Sequence, residues 1–161
     1  MMIHDFLVQS LNQSLGMLKM TLADMSDAEL IQRPVPGANH ANWQLGHLIV
    51  SEVQISGALG AKMPELPAGF AERYSKETAK IDDPSKFATK AALLEQFEKV
   101  RAATIAFAKS ATEAQLNTPS PLMPDFFPKV VDALGLGSGH IQMHLGQIQV
   151  LRRKLGKPIL F

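Results

Sequence analysis

Gly139-His140-Ile141-Gln142-Met143-His144-Leu145-Gly146-Gln147 is the stretch from which the fold is read. Its two histidines share one face of a helix with their Cβ atoms roughly 6 Å apart. Ile141, Leu145, Ile148 and Leu151 recur at the spacing of a buried helical stripe, so the pair borders an apolar core. There, an imidazole without a partner costs about 1–3 kcal/mol. Hydrogen-bonding neighbours would satisfy both rings, and so would one shared cation. Pro128 suits the first turn of this helix, and Gly156 and Pro158 end it after Leu155. Glycines 135, 137 and 139 each cost up to about 1 kcal/mol in a helix relative to alanine. They point to close helix contact, to room for a substrate, or to a local distortion.

The rest of the chain reads in the same helical period. Ile3, Phe6, Leu7, Leu11, Leu15, Leu18, Leu22 and Met25 form one stripe, which predicts a first helix over 3–25. Ser26-Asp27-Ala28-Glu29 has the form of a capping box opening a short turn, before Pro34, Pro36 and Gly37 impose a loop. Asn42 is the expected cap of a second long helix carrying Trp43, Leu45, His47, Leu48, Ile49, Val53 and Ile55 and fading near Gly57 to Gly60. Residues 61–88 read as a long crossover with a short helix around Ala68 to Tyr74, a connection that lets consecutive helices lie parallel as well as antiparallel. Thr89 caps a third long helix ending near Ser110. Thr112-Glu113-Ala114-Gln115-Leu116 repeats the turn at Ser26-Asp27-Ala28-Glu29-Leu30, and each leads through prolines to a histidine-bearing helix. Nothing alternates with period two over a strand's length. The expectation is an all-α fold, a four-helix bundle forming a single domain over residues 1–161.

Composition narrows the chemistry. The formal charge of +1, from 16 basic against 15 acidic residues, offers no field for nucleic acid or an anionic membrane. With no cysteine, thiolate ligands, disulfides and a cysteine nucleophile are excluded, so a metal site must use nitrogen and oxygen. The start, Met1-Met2-Ile3-His4-Asp5, lacks the pattern of a signal peptide, and no run is long and apolar enough for a membrane span; a cytoplasmic location is expected.

His47, beside Trp43 on a core-facing helix, reads alone as a core histidine, but the pair at 140 and 144 supplies a site with a vacancy. Three neutral imidazoles suit a divalent ion, zinc or nickel first and iron or manganese after them, and leave a position for water or substrate. Position 141 is Ile, so the zinc-protease pattern with a glutamate after the first histidine is absent. His40, in the loop, reads as exposed, and His4 as a surface residue.

Asn42-Trp43-Gln44-Leu45-Gly46-His47-Leu48 followed by Glu52, and His140-x-x-x-His144-x-Gly146-Gln147-Ile148 with Arg152 and Gly156, resemble the signature of the DinB/YfiT-like family of metalloenzymes over nearly the whole chain. The resemblance implies a four-helix bundle with one metal on His47, His140 and His144, frequent homodimers, and activities that include thiol-dependent transfer and isomerisation. Gly146, Gln147 and Arg152 match positions that shape the last helix. Glu52 and Gln147 are candidates to orient a ligand imidazole, with a solvated Glu52 and a structural Gln147 as the alternatives.

Two functions remain open at this point. One is an enzyme, hydrolase or thiol-dependent transferase or isomerase, in which the metal activates water or a small thiol against a small-molecule substrate. The other is a non-catalytic module that the metal stiffens for dimerisation, with Phe126, Phe127, Ile159, Leu160 and Phe161 supplying the partner face. A cleft beside the metal favours the first; a closed shell with a fourth protein ligand favours the second.

Overall fold

The computed structural model describes residues 3–160, so Met1, Met2 and Phe161, the last of the apolar residues expected at a partner face, lie outside the described residues. In chain order the helices are α1 (Ile3–Leu22), α2 (Asp27–Leu30), α3 (Ala41–Ala58), α4 (Phe70–Arg73), α5 (Lys90–Ser110), α6 (Glu113–Leu116) and α7 (Val130–Lys154), with 3-10 turns at Lys76–Thr78 and Pro84–Lys86 between α4 and α5. Among the described residues the extended backbone pairs only as an isolated bridge between Pro119 and Lys129, so the fold is all-α. No described helix is long and apolar enough to cross a membrane.

Side-chain contacts give the direction of each long helix. Ser10 Oγ donates to Ser138 Oγ at 2.9 Å and Arg152 Nη1 to the Thr21 carbonyl at 2.7 Å, so α1 and α7 rise together. Glu52 pairs with Arg101 and Ser56 with Thr104, so α3 and α5 are also parallel. Arg101 reaches the Leu11 carbonyl while Lys19 meets Glu98, which sets α1 against α5. Gln44 meets His144 while Arg101 joins Glu52 to the Gly137 carbonyl, which sets α3 against α7. The parallel α3–α5 pair is what the long crossover permits.

Local signals explain most boundaries. Ser26 and Thr112 each close a capping box, with Glu29 and Gln115 respectively, so both one-turn helices start where the repeated turn places them. Thr89 caps α5 by accepting from Ala92 N. Three expectations are corrected. Asn42 does not cap α3: His40 does, its Nδ1 accepting from Trp43 N at 3.0 Å, while Asn42 sits inside the helix and donates to the Ala88 carbonyl at 2.8 Å. Pro128 precedes the helix rather than entering its first turn, and Lys129 is the cap residue of α7. Ile3 and Phe6 are 42% and 53% exposed, because the buried stripe of α1 begins at Leu7 and Phe6 points one residue's rotation away from it.

Two apolar clusters fill the bundle. The larger joins Leu15, Leu18, Leu45, Leu48, Phe97, Val100, Leu145 and Ile148; the smaller joins Leu7, Leu11, Leu59, Ala108, Ala133 and Leu134. Arg101, 1% exposed, lies between them and binds Glu52, the Leu11 carbonyl, Ser14 Oγ and the Gly137 carbonyl, touching all four long helices. Arg152, equally buried, ties α7 to Thr21, Asp24 and Pro158. Of the apolar residues expected at a partner face, Phe126 and Ile159 are exposed at 79% and 68%, whereas Phe127 packs against the smaller cluster.

The crossover is fastened over the first turns of α3. The Tyr74 ring lies on Gly46, where a Cβ would come within 2.1 Å of it, and its hydroxyl accepts from Ala88 N at 2.9 Å. Trp43 Nε1 donates to the Ser75 carbonyl at 3.1 Å and to Thr78 Oγ1 at 3.2 Å. Here the glycine has a steric cause, close approach of a buried ring, rather than a backbone one. Across the three-glycine segment α7 continues unbroken; a Cβ on Gly137 would meet Leu11 Cδ2 at 2.9 Å, so one of the three serves close helix contact.

Candidate metal centre

α3 supplies His47 and α7 supplies His140 and His144, from adjacent antiparallel helices. One nitrogen from each ring falls within 4.8 Å of the others. Ring centroids are 5.2 Å apart for His47 and His140, 5.5 Å for His47 and His144, and 4.9 Å for His140 and His144. His47 therefore converges with a pair far along the chain, and no carboxylate joins the group among the described residues.

The pair on α7 has the spacing of metal-bound nitrogens, and the His47 nitrogen lies within 4.8 Å of both. Nitrogens at the usual zinc distance lie about 3.3 Å apart in a tetrahedral site. His140 Nε2 and His144 Nε2 are separated by 3.2 Å, facing each other. Two bare lone pairs repel at that distance, so a proton or a cation must lie between them. Burial also sets the charge state. It pushes the pKa of all three rings down, that of His144 to about 4, with the neighbouring histidines adding to the shift at His144 and His140 and Lys76 adding to it at His47. All three rings are neutral near pH 7, the form that ligates.

Each side of the site has its own support. Trp43 stacks flat on His47, with centroids 4.9 Å apart and planes 6° apart. Since the Trp43 indole N–H is fastened to Ser75 and Thr78, the turn bearing Lys76 is held at the rim. Gln44, fully buried, places Oε1 2.9 Å from His144 Nδ1. A water-sized cavity of about 10 Å³ adjoins His140, lined also by Leu48, Glu52, Ile55, Leu134 and Gly137.

The two candidates for orienting a ligand ring are placed elsewhere. Glu52 is buried, but its oxygens accept from Arg101 Nε at 2.8 Å and Nη2 at 2.7 Å, so it is neither solvated nor bonded to an imidazole. Gln147 is exposed on the outer face of α7. The contact on a ligand ring is made by Gln44 instead. Its position three residues before His47, on the same face of α3, was the available signal: a polar side chain on a stripe that is otherwise core.

His40 corrects the expectation of an exposed loop residue. It is 0% exposed, and with Nδ1 accepting from Trp43 N, its Nε2–H donates to the Ile81 carbonyl at 3.1 Å. Both nitrogens are used in structure, so His40 is not a ligand. His4 is half-buried, its Nε2 bonded to the Ala111 carbonyl at 2.6 Å, and so fastens α1 to the end of α5.

The model of the DinB superfamily matches residues 10–148, which include all three histidines. The chain belongs to the DinB superfamily. Among solved structures it is similar to YfiT from Bacillus subtilis, with 20% identity and a TM-score of 0.64 over 96% of this chain and 89% of that one; YfiT is described as "a probable metal-dependent hydrolase with an unusual four-helix bundle topology". It is also similar to a conserved protein from Enterococcus faecalis, with 19% identity and a TM-score of 0.69 over 98% of this chain and 99% of that one. Both likenesses carry the bundle fold of this DinB chain. No curated protein matches the sequence.

Proposed function

We propose that His47, His140 and His144 hold one divalent metal ion and that this DinB chain is an enzyme acting on a small molecule, with water or a low-molecular-weight thiol as the nucleophile. The observation that carries the reading is the convergence of three neutral imidazoles, with ligand atoms within 4.8 Å, from two helices. The description of YfiT as a probable metal-dependent hydrolase supports it. A divalent ion supplies Lewis acidity, polarising an electrophile or acidifying a nucleophile near neutral pH.

The chain's own residues do the rest. Position 141 is Ile and Glu52 is committed to Arg101, so neither supplies a general base at the site. Trp43 fixes the plane of His47 by stacking, and the turn it fastens holds the Lys76 ammonium at the rim, where an anionic group on a substrate gains from it. Leu48, Ile55 and Leu134 give the cavity beside His140 apolar walls. The lack of a fourth protein ligand among the described residues favours the enzyme over a purely structural centre.

The test is to load the protein with zinc, nickel, iron or manganese and offer activated esters and alkylating electrophiles with and without bacillithiol, mycothiol or glutathione. Turnover that requires both metal and thiol supports transfer; metal-dependent turnover without thiol supports hydrolysis. Equal rates for metal-loaded protein and a His144→Ala variant would refute both.

A further inference from the structure

Gln44 is 0% exposed, and both ends of its amide are engaged. Its Nε2 donates to the Asn39 carbonyl at 2.7 Å. A carbonyl only accepts, so the amide cannot be turned round without setting two oxygens against each other. Its Oε1 therefore faces His144 Nδ1, 2.9 Å away. An amide oxygen also only accepts, so the ring proton belongs on Nδ1. A neutral imidazole carries a single N–H proton, which leaves Nε2 with a lone pair. That is the atom aimed at His140 Nε2.

We infer that Gln44 is a positioning residue for the metal centre: clamped by the Asn39 carbonyl, it holds His144 in the Nδ1–H tautomer and presents Nε2 as a ligand already set before an ion arrives. This rests on the metal reading of the three histidines. Among the described residues His47 has no equivalent device, because stacking on Trp43 fixes the plane of a ring but not which nitrogen carries the proton. Its Nε2 lies 3.5 Å from Ser51 Oγ, too far for a strong hydrogen bond. Of these two rings, His144 is the one whose tautomer the fold sets. The loop before α3 becomes part of the site through Asn39, a residue that touches none of the three rings in the contacts described.

Long-range proton–nitrogen spectra of the full chain without metal read the tautomer directly, and competition with a chelator reads the zinc affinity. Wild-type protein should show His144 protonated at Nδ1. Gln44→Met removes both amide atoms at similar volume; it should mix the tautomers and weaken zinc binding about 10- to 100-fold. Gln44→Glu keeps an acceptor opposite Nδ1 but sets its second oxygen against the Asn39 carbonyl, so it should keep His144 in the Nδ1–H form while recovering only part of the affinity. A wild-type His144 protonated at Nε2 overturns the inference, as does zinc affinity in Gln44→Met within about threefold of wild type, a change smaller than loss of a supporting hydrogen bond produces. A Gln44→Glu variant whose His144 is protonated at Nε2 overturns it in favour of a packing role. Should Gln44→Met fail to fold, the wild-type spectrum decides. A wild-type protein that shows the Nδ1–H form yet takes up no metal refutes the proposed function, an outcome distinct from all of these.

Discussion

Arg101 grips Glu52 with two parallel hydrogen bonds, Nε to Oε1 at 2.8 Å and Nη2 to Oε2 at 2.7 Å, inside the bundle. The side chains are 2% and 4% exposed, so neither charge has water to fall back on. Removing one partner strands the other, at a cost of about 3–5 kcal/mol, whereas replacing both with apolar residues of similar volume is often nearly neutral. Arg101→Met should therefore lower the unfolding free energy in urea by about that amount, and Glu52→Leu combined with Arg101→Met should recover part of it. Additive losses in the double variant would contradict this view of the pair.

Gly46 and Gly146 look alike in the sequence but differ in space. A Cβ at Gly46 would lie within 2.1–2.4 Å of three Tyr74 ring carbons, and that ring is itself backed by Phe70 and Phe87. Gly46→Ala should cost about 2–3 kcal/mol and loosen the crossover. Nothing lies within 4 Å of a Cβ at Gly146, so Gly146→Ala should be neutral or stabilise by up to about 1 kcal/mol through helix propensity. Thermal melts of the two variants check the contrast, and equal effects would count against it.

His40 joins the start of α3 to the crossover, so its removal acts on two elements. His40→Ala loses the helix cap and leaves the Ile81 carbonyl without its donor, an expected loss of about 1–3 kcal/mol. His40→Asn can keep the cap but is too short for Ile81, and should fall between wild type and alanine. Chemical denaturation of the three proteins measures the order; an alanine variant as stable as wild type would remove His40 from the account.

The buried histidines make the metal-free protein sensitive to acid. In the folded chain His144 titrates near 4, against 6.5 for an unperturbed ring, and His140, His47 and His40 are shifted the same way, burial being the first cause for each. The unfolded chain takes up protons first, so stability is full above about pH 6.5 and is lost as the pH falls toward 4. His144 alone accounts for roughly 3 kcal/mol of that loss. Denaturant midpoints between pH 8 and pH 4 should fall accordingly, less steeply in His144→Leu; identical slopes would contradict the assignment.

Much of this was legible in the chain because it is written locally. Helical period, the two Ser/Thr capping boxes, Thr89 and the proline breaks lie within one or two turns of what they control, and His140 and His144 share a face by spacing alone. His47 could be joined to them because a polar ring on a core-facing helix needs a partner. The features that were misread depend on residues far along the chain. His40 is buried because Ile81 and Trp43 use its two nitrogens, and Asn42 is drawn from the cap position by Ala88. Glu52 is a strut because Arg101 lies opposite on α5, and the role of Gln44 is not written locally because its partners, Asn39 and His144, meet only in the folded bundle.

The central claim is that three imidazoles make one metal site. The direct measurement is elemental analysis of protein loaded with zinc, nickel, iron or manganese and freed of excess ion, alongside His144→Ala of confirmed fold. One equivalent of metal per wild-type chain and almost none in the variant is the expected result. Wild-type protein that retains no metal, or a variant that retains a full equivalent, would contradict it.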